Sequence, residues 1–308
     1  MSKNRLIFFG NERLASGVTT TAPVLRSLID SGYDIAAVVV NQGEVRGRRQ
    51  RQLEVEAVAT EHNIPLWCPE RVGDIADDIT ASGAVCGVLA AYGRLVPESI
   101  INLFPHGIVN IHPSPLPHWR GSTPIESVIL SGQESTGVSL MQLVKDMDAG
   151  PVYGFAELPL SGNESKQQLA EQLAELGAHL LTELLPGILD GSLGTAEQDH
   201  QDATYCSTIT KENGTIDWNE PAETIERKVR AYYGWPGSTT TLGDLPVTVT
   251  QASVLNESGT PGQLFRWRKS LAVYCGQDAL LIEKLKPAGK AEMDSPSFLN
   301  GYAQAIGL

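Results

Sequence analysis

The strongest chemical signal in the sequence is an Asn-x-His pair that a proline-rich segment follows directly. Asn110 and His112 end the apolar run 108–112, and residues 113–117 read Pro-Ser-Pro-Leu-Pro. Residues two apart in a strand point to the same side, and the prolines exclude helix and central strand for the segment 113–117. The pattern predicts two polar side chains at a strand end, next to a stiff loop. The alternative is that the pair only satisfies backbone groups there.

A second candidate position lies downstream, in the segment Lys145-Asp-Met-Asp-Ala-Gly-Pro151. Asp148 stands before Ala-Gly-Pro, which indicates a loop, and an aspartate at such a place often serves only turn geometry. Beside an asparagine and a histidine, its carboxylate becomes a candidate third catalytic group. Asn110, His112 and Asp148 are therefore candidate catalytic residues, and a purely structural role for each stays open at this point.

The elements that must position these residues follow an alternating pattern. Up to residue 190, short apolar runs alternate with amphipathic segments, which predicts an α/β fold with a Rossmann-like, mostly parallel sheet and helices on both faces. Ligands bind such sheets outside the carboxyl ends of the strands, and the stretch from Ala90 to Pro97 follows a strand and should line the same crevice. Strands are predicted at 6–9, 35–40, 65–67, 85–90 and 108–112, and helices at 23–31, 52–62 and 165–189.

The pattern of apolar and polar residues changes after residue 190. Residues 191–207 are polar and aperiodic, and we interpret them as a linker between a domain at 1–190 and a second domain at 208–308. Short β-branched runs separated by Gly-rich turns predict a small β-barrel of the OB type in the second domain. Its strands are predicted at 237–242, 246–253, 263–267, 271–275 and 279–285, with one helix at 222–231.

Composition excludes several classes of protein. Hydrophobic residues make up 42% of the 308 residues, so a disordered chain is excluded. The four cysteines are scattered and contain no CxxC pair, which argues against a disulfide scaffold and a zinc ribbon. No apolar run approaches the roughly 20 residues of a membrane helix. These features predict a cytoplasmic protein without a bound metal.

Charge is distributed unevenly along the chain. The formal net charge is -13, yet residues 208–308 hold 10 basic against 11 acidic residues, whereas residues 1–207 hold 13 against 25. The acidic first part contains one dense basic run, with Arg46, Arg48, Arg49 and Arg51. Such a run is either a solvated helix face or a loop that contacts phosphates. Its isolation in an acidic region favours the loop.

These motifs together resemble the folate-dependent formyltransferases over nearly the whole chain. Residues 110–121, Asn-Ile-His-Pro-Ser-Pro-Leu-Pro-His-Trp-Arg-Gly, are similar to the formyl-transfer signature, and Met-Asp-Ala-Gly at 147–150 to the aspartate loop. The tail resembles the tRNA-directed members of the family. Its similar segments are Tyr205, 209–212, 216–218, 230–237, Lys286-Pro-Ala-Gly-Lys290 and Phe298-Leu-Asn-Gly-Tyr302.

The resemblance implies roles for further residues and a co-substrate. The donor is 10-formyltetrahydrofolate, with its pterin ring against Tyr92, Gly93 and the Asp148 loop. Four residues shape the adjoining part of the pocket: Ser114, Pro115, Leu116 and Pro117. The arginine run and the tail contact the acceptor arm of a tRNA, and the tail residues chosen for this role are Lys211, Arg230, Lys286 and Lys290.

The implied reaction is formyl transfer to the free amino group of methionyl initiator tRNA, by a monomer acting in translation initiation. Asn110 and a protonated His112 donate hydrogen bonds to the tetrahedral oxyanion, and Asp148 orients His112 and helps to deprotonate the amine. Two alternatives stay open at this point. One is an N-formyltransferase acting on a sugar nucleotide, and the other is a non-catalytic folate-binding or RNA-binding protein.

Overall fold

A seven-stranded sheet organises the first part of the molecule. The computed structural model describes residues 5–41 and 52–308. The strands are β1 (Arg5–Gly10), β2 (Asp34–Val39), β3 (Leu66–Trp67), β4 (Cys86–Ala90), β5 (Ile108–His112), β6 (Ser135–Gln142) and β7 (Val152–Pro159). Their order across the sheet is β3-β2-β1-β4-β5-β6-β7. The first five strands are parallel, and β6 and β7 add an antiparallel edge.

The burial of the strands explains why their sequences are continuous apolar runs. Every residue of β4 and β5 is buried, as is every residue of β2 after Asp34. A strand covered on both faces needs no polar alternation. The predicted mostly parallel sheet is therefore confirmed, and the limits of its five predicted strands differ from the observed ones by at most one residue at each end.

Helices connect the strands and end the chain. The first follows the predicted pattern closely: Pro23 occupies its first turn, where the missing N–H costs nothing, and Val24, Leu25 and Leu28 are its buried residues. The α-helices are α1 (Pro23–Asp30), α2 (Glu54–Glu61), α3 (Ala76–Ser82), α4 (Glu98–Ile101), α5 (Pro124–Ser131), α6 (Lys166–Asp190), α7 (Ala222–Ala231) and α8 (Ser295–Tyr302). No helix among the described residues is both long and apolar enough to cross a bilayer.

An antiparallel sheet forms most of the second part. Its strands are β8 (Ser238–Leu242), β9 (Leu245–Leu255), β10 (Leu264–Trp267), β11 (Ser270–Tyr274), β12 (Ala279–Pro287) and β13 (Met293–Asp294). The order is β10-β11-β12-β9-β8, with β13 paired to β12. A core including Ile225, Val249, Leu280 and Phe298 lies against it. The small OB-type sheet domain predicted for this part is present, and among the described residues no strand pairing joins its end strands β10 and β8.

The chain divides into two compact units whose limits do not follow the sequence order strictly. The first comprises the described residues up to Ile125 together with 134–161 and 167–207, and the second comprises 126–133, 162–166 and 208–308. The segment 191–207 lies within the first unit and pairs with it through isolated bridges, Val152 with Ala196 and Arg120 with Tyr205. The limits predicted from the sequence stay a prediction.

A buried ion pair lies inside the second unit. Lys166 and Glu126 are 0% and 1% exposed, and Lys166 Nζ lies 3.5 Å from Glu126 Oε1. The same ammonium donates to the backbone carbonyl of Trp235 at 3.1 Å. Burial lowers the pKa of Lys166, while Glu126 acts in the opposite direction. The pair therefore joins residues that are distant in sequence at a high cost of desolvation.

We expect the Lys166→Met variant to lose about 3–5 kcal/mol of unfolding free energy, because it leaves the Glu126 carboxylate buried without its cation. Chemical denaturation, followed by circular dichroism, measures this loss. The double variant Lys166→Met with Glu126→Gln removes both charges and should recover most of the stability. A single variant as stable as the parent protein would contradict the importance of the pair.

Candidate active site

Asn110 and His112 lie at the carboxyl end of β5, in the middle of the first sheet. Their side chains are on the same side because they are two residues apart, and the residues are only 6% and 5% exposed. Leu89 of β4 pairs with Asn110 on one side, and Met141 of β6 on the other. Both polar groups are thus held by central strands rather than by a surface loop.

The orientation of the His112 ring follows from its hydrogen bond. Nε2 lies 3.0 Å from the backbone carbonyl oxygen of Trp119. A carbonyl only accepts, so Nε2 carries the hydrogen and Nδ1 is the nitrogen free to gain or lose a proton. Nδ1 lies 3.8 Å from Oδ1 of Asp148, which is too long for a direct hydrogen bond but close enough for an ion pair with the protonated ring.

The loop that carries Trp119, the hydrogen-bond partner of His112, also holds Asp148 in place. Its Oδ2 accepts a hydrogen bond of 2.8 Å from the backbone N–H of Gly121. Its backbone adopts a left-handed conformation, with φ of 49°, which is unfavourable for a residue with a Cβ. The site therefore brings together the three predicted catalytic residues, from β5 and from the loop after β6.

The polar groups of the Pro-rich loop bond to each other and to β6. Ser114 is fully buried, and its hydroxyl donates to the carbonyl of His118 at 2.6 Å. Ser139 donates to the carbonyl of Ser114 at 2.8 Å and accepts from the N–H of Leu116 at 3.0 Å. The Leu116–Pro117 peptide bond is cis. These contacts hold the loop in the shape that presents the Trp119 carbonyl to His112.

A cavity of about 460 Å³ opens beside Asn110 and Asp148. Its volume falls in the range of small-molecule sites. Besides those two residues it is lined by Leu89, Arg94, Leu95, Val96, Pro97, Glu98, Leu143, Val144, Lys145, Asp146 and Met147. The motif Ala90–Pro97 and the Asp148 loop predicted this region from the sequence. The lining residues outside those two segments were not predicted: Leu89, Glu98, Leu143 and Val144.

The residues chosen for folate contact occupy different places around this cavity. Tyr92 is buried, with its ring edge-on to Phe9 at 5.8 Å, and it lines a second cavity of about 640 Å³ that shares Arg94, Leu95 and Pro97 with the first. Gly93 follows Tyr92 with a positive φ of 73°, and it lines neither cavity. Among the described residues that line either cavity, none belongs to the segment 114–117. A direct contact of that segment with folate stays a prediction.

Two other features bear on the chemistry of the site. Burial raises the pKa of the Cys86 thiol to about 12 and that of Cys275 to about 11, so neither supplies a thiolate nucleophile. Across residues 5–41 and 52–308, no group of three or more histidines, cysteines or carboxylates is arranged to hold a metal ion.

The predicted tRNA contacts fall into three groups. Lys211, Lys286 and Lys290 are exposed. By contrast, Arg230 donates to both carboxylate oxygens of Glu226, at 2.6 and 2.9 Å, and to the carbonyl of Glu164 at 3.0 Å. This leaves Arg230 little capacity for a phosphate, and its contact with tRNA stays a prediction. The arginines of the basic run, Arg46, Arg48, Arg49 and Arg51, lie outside the described residues.

One of the exposed lysines, Lys286, shares its sheet face with hydroxyl groups. Lys286 of β12 pairs with Thr248 of β9, and Thr248 pairs with Thr239 of β8. A bridge then links Thr239 to Thr215, four residues after Lys211. Residues directly opposite each other share a face. Lys286, Thr248, Thr239 and Thr215 therefore form a row across this side of the second unit, with the group types that bind phosphate oxygens.

A mostly parallel sheet that presents Asn-x-His to a loop aspartate, followed by an antiparallel unit, defines a formyl-transferring class of protein. Residues 13–185 match the formyl transferase family, and residues 208–303 match the formyl transferase C-terminal domain. The chain belongs to this formyl transferase family, and it is similar over nearly its full length to proteins named methionyl-tRNA formyltransferase.

Three of those relatives illustrate the similarity. The methionyl-tRNA formyltransferase of Trichlorobacter lovleyi is 33% identical over 98% of this chain and 96% of its own length. Those of Geobacter sulfurreducens and Chloroflexus aurantiacus are 31% and 35% identical, over 98% and 96% of this chain and 95% and 96% of their own lengths.

Solved structures show the same fold at lower identity. HypX from Aquifex aeolicus, in complex with tetrahydrofolic acid, has a TM-score of 0.70 and 17% identity. The match covers 99% of this chain and 48% of the HypX chain. The N-formyltransferase from Helicobacter canadensis, in complex with folinic acid and dTDP-3-aminofucose, has a TM-score of 0.67 and 15% identity, over 91% of this chain and 98% of that one.

Proposed function

We propose that this protein transfers the formyl group of 10-formyltetrahydrofolate to the free amino group of methionyl initiator tRNA, giving the N-formylmethionyl-tRNA of translation initiation. The observation that carries the proposal is the arrangement at the end of β5. There Asn110, the Nδ1 side of His112 and the Asp148 carboxylate converge beside a cavity of about 460 Å³. Full-length relatives named methionyl-tRNA formyltransferase support the choice of acceptor.

The cavity suits the folate donor. Leu89, Val96, Leu143 and Val144 supply apolar walls for a flat ring, and the backbone of the loop after β6 supplies polar groups for its edge. The bound donor supplies a formyl carbon on a nitrogen that becomes the leaving group. Asn110 and Asp148, which line the cavity, lie where that carbon must meet the incoming amine.

The three residues divide the proton and charge changes between them. The amine nitrogen forms a bond to the formyl carbon, and Asn110 donates a hydrogen bond to the oxyanion that results, a type of contact worth about 3 kcal/mol. Asp148 accepts the proton that the amine loses. His112 stabilises the oxyanion from Nδ1 and then gives a proton to the folate nitrogen as the carbon–nitrogen bond breaks. The products are the formylated amine and tetrahydrofolate.

The acceptor arm of the tRNA binds along the lysine and threonine row of the second unit. Lysine and threonine side chains contact phosphates without reading sequence, and the local potential decides such contacts despite a net charge of -13. We extend the proposal to the arginine run at 46–51, beside the acceptor end. We also propose that the protein acts in the cytoplasm and as a monomer. Light scattering in solution tests whether it is a monomer.

The decisive assay offers the protein 10-formyltetrahydrofolate with methionyl initiator tRNA, methionyl elongator tRNA or a panel of amino-sugar nucleotides. Formylation of the initiator tRNA alone is the expected result. Transfer to a sugar nucleotide without a tRNA product would keep the chemistry at β5 and overturn the proposed acceptor. Binding of folate without any transfer would overturn the catalytic role itself.

We expect the triple variant Lys211→Ser, Lys286→Ser, Lys290→Ser to raise the KM for methionyl-tRNA about tenfold or more, because three phosphate contacts are lost. The slope of log binding affinity against log salt should become shallower by about two to three. The KM for folate should stay the same. The matched control changes the same lysines to arginine, which keeps the charges and should keep the KM near its original value. An unchanged salt slope in the serine variant would remove these lysines from the interface.

The arginine run is tested in the same assay with Arg46, Arg48, Arg49 and Arg51 changed to serine. We propose that this variant loses tRNA use and keeps folate binding. Unchanged kinetics with tRNA would place the acceptor end elsewhere.

A further inference from the structure

Gln198 stands out in the segment 191–207, which was interpreted from its sequence as a linker. It is only 7% exposed, although most of its neighbours in the segment are exposed. Backbone bridges hold the segment on either side of it, through Ala196 to Val152 and through Tyr205 to Arg120. Because polar side chains are seldom buried without hydrogen bonds, the partners of this amide indicate what the segment does.

The amide nitrogen of Gln198 holds the backbone of the catalytic loop. Nε2 donates to the carbonyl of Asp148 at 2.9 Å and to the carbonyl of Gly150 at 2.7 Å. Both hydrogens of the amide are therefore used on carbonyls on either side of Ala149. This contact occurs where Asp148 adopts its left-handed conformation, so the amide stabilises a backbone shape that the residue disfavours.

Arg120 determines which way the Gln198 amide faces. Its Nε and Nη2 donate to Gln198 Oε1 at 3.1 and 2.7 Å, and Arg120 itself is 2% exposed. A guanidinium has donors only, so the amide oxygen must face Arg120, and the NH2 group must face the two carbonyls. His200 and Tyr205 contact the same guanidinium from the segment 191–207.

The contacts form a closed path around Asp148. Gly121, the neighbour of Arg120, donates to the Asp148 carboxylate at 2.8 Å, while Gln198, bound to Arg120, donates to the Asp148 carbonyl. Two successive residues therefore control both ends of the aspartate, one directly and one through Gln198. The carbonyl that Gln198 holds and the carboxylate that faces Nδ1 of His112 belong to the same residue, Asp148.

We propose that Gln198 is a positioning residue for the reaction: it holds the loop so that the Asp148 carboxylate faces His112. The inference rests on the proposed function, and it assigns a catalytic support role to the segment between the two family domains. Small misplacements of a reacting group cost up to about a hundredfold in rate. The effect is therefore expected in kcat rather than in the binding of either substrate.

The test compares Gln198→Ala with Gln198→Glu. Glutamate keeps an acceptor for Arg120 but cannot donate to the two carbonyls. If Gln198 positions the loop, both variants lower kcat about 10- to 100-fold, and the KM values for folate and methionyl-tRNA change less than about threefold. Recovery of normal kcat in the glutamate variant would overturn the proposal, because support of Arg120 would then be the whole role. The control Gln201→Ala, at an exposed position of the same segment, should keep the original kcat.

A second readout does not depend on activity. Hydrogen exchange at the Gly121 amide, which donates to Asp148, reports whether the loop stays in place. We expect faster exchange in both Gln198 variants and unchanged exchange in Gln201→Ala. Unchanged Gly121 exchange in both Gln198 variants would overturn the positioning role. If the parent protein forms no formylmethionyl-tRNA, the proposed function fails, and the hydrogen exchange still decides whether Gln198 holds the loop.

Discussion

Replacing His112 with alanine is expected to lower kcat for formyl transfer by about a thousandfold or more. The ring supplies the titratable nitrogen that faces Asp148, since Nε2 is committed to the Trp119 carbonyl at 3.0 Å. Proton transfer by a positioned group contributes about 10²- to 10⁴-fold, and the hydrogen bond to the oxyanion is lost as well. Single-turnover rates with saturating folate and methionyl-tRNA measure the loss.

The same variant should bind both substrates normally. His112 is nearly buried and does not belong to the lysine row, so affinity for tRNA does not depend on it. The matched control is His118→Ala, at an exposed position of the same loop, which should keep the original rate. Loss of tRNA affinity in parallel with kcat would contradict a role in proton transfer and favour a role in the folding of the loop.

The second large effect is expected for Asp148→Asn, with a fall in kcat of about 10²- to 10⁴-fold. Asparagine preserves the shape, tolerates the left-handed conformation and can still accept from Gly121 through its amide oxygen. The variant therefore removes the charge that faces Nδ1 of His112 while the loop stays in place. Steady-state kinetics give kcat, and the melting temperature should stay close to that of the parent protein.

Two comparisons make the Asp148 result specific. Asp202→Asn removes a carboxylate at an exposed position and should leave kcat unchanged. Asp148→Ala also removes the acceptor for Gly121 and should add faster exchange of that amide to the loss of rate. An Asp148→Asn protein with normal kcat would show that the carboxylate is needed only for loop geometry.

Much of the first unit could be predicted from local sequence. Buried parallel strands are continuous apolar runs, so β4 and β5 were found within a residue of their observed limits. The strands β6 and β7 were missed for different reasons. The edge strand β7 is only partly covered and alternates between exposed and intermediate residues. The neighbouring β6 is buried, but its sequence Ser-Thr-Gly-Val-Ser-Leu-Met-Gln is not a continuous apolar run. The short helix α4 was missed as well, since four residues carry too little periodicity.

The C-terminal sheet shows a different limit of sequence reasoning. Turn residues and β-branched runs located five of its strands, but they do not predict which strands pair with each other. Whether an antiparallel sheet closes into a barrel depends on pairing between distant strands. Here β10 and β8 stay unpaired with each other among the described residues.

For the candidate site, the sequence by itself determined the identities and the class of chemistry: Asn-x-His before prolines, and Asp before Ala-Gly-Pro, each beyond or at a strand end. Only the tertiary structure decided that Nδ1 of His112 faces Asp148, that Arg230 is paired with Glu226, and that Gln198 supports the catalytic loop. The physical reason is that local pattern reports burial and backbone shape. Gln198 and Asp148 are 50 residues apart in the chain, and packing chooses such distant hydrogen-bond partners, which no local pattern records.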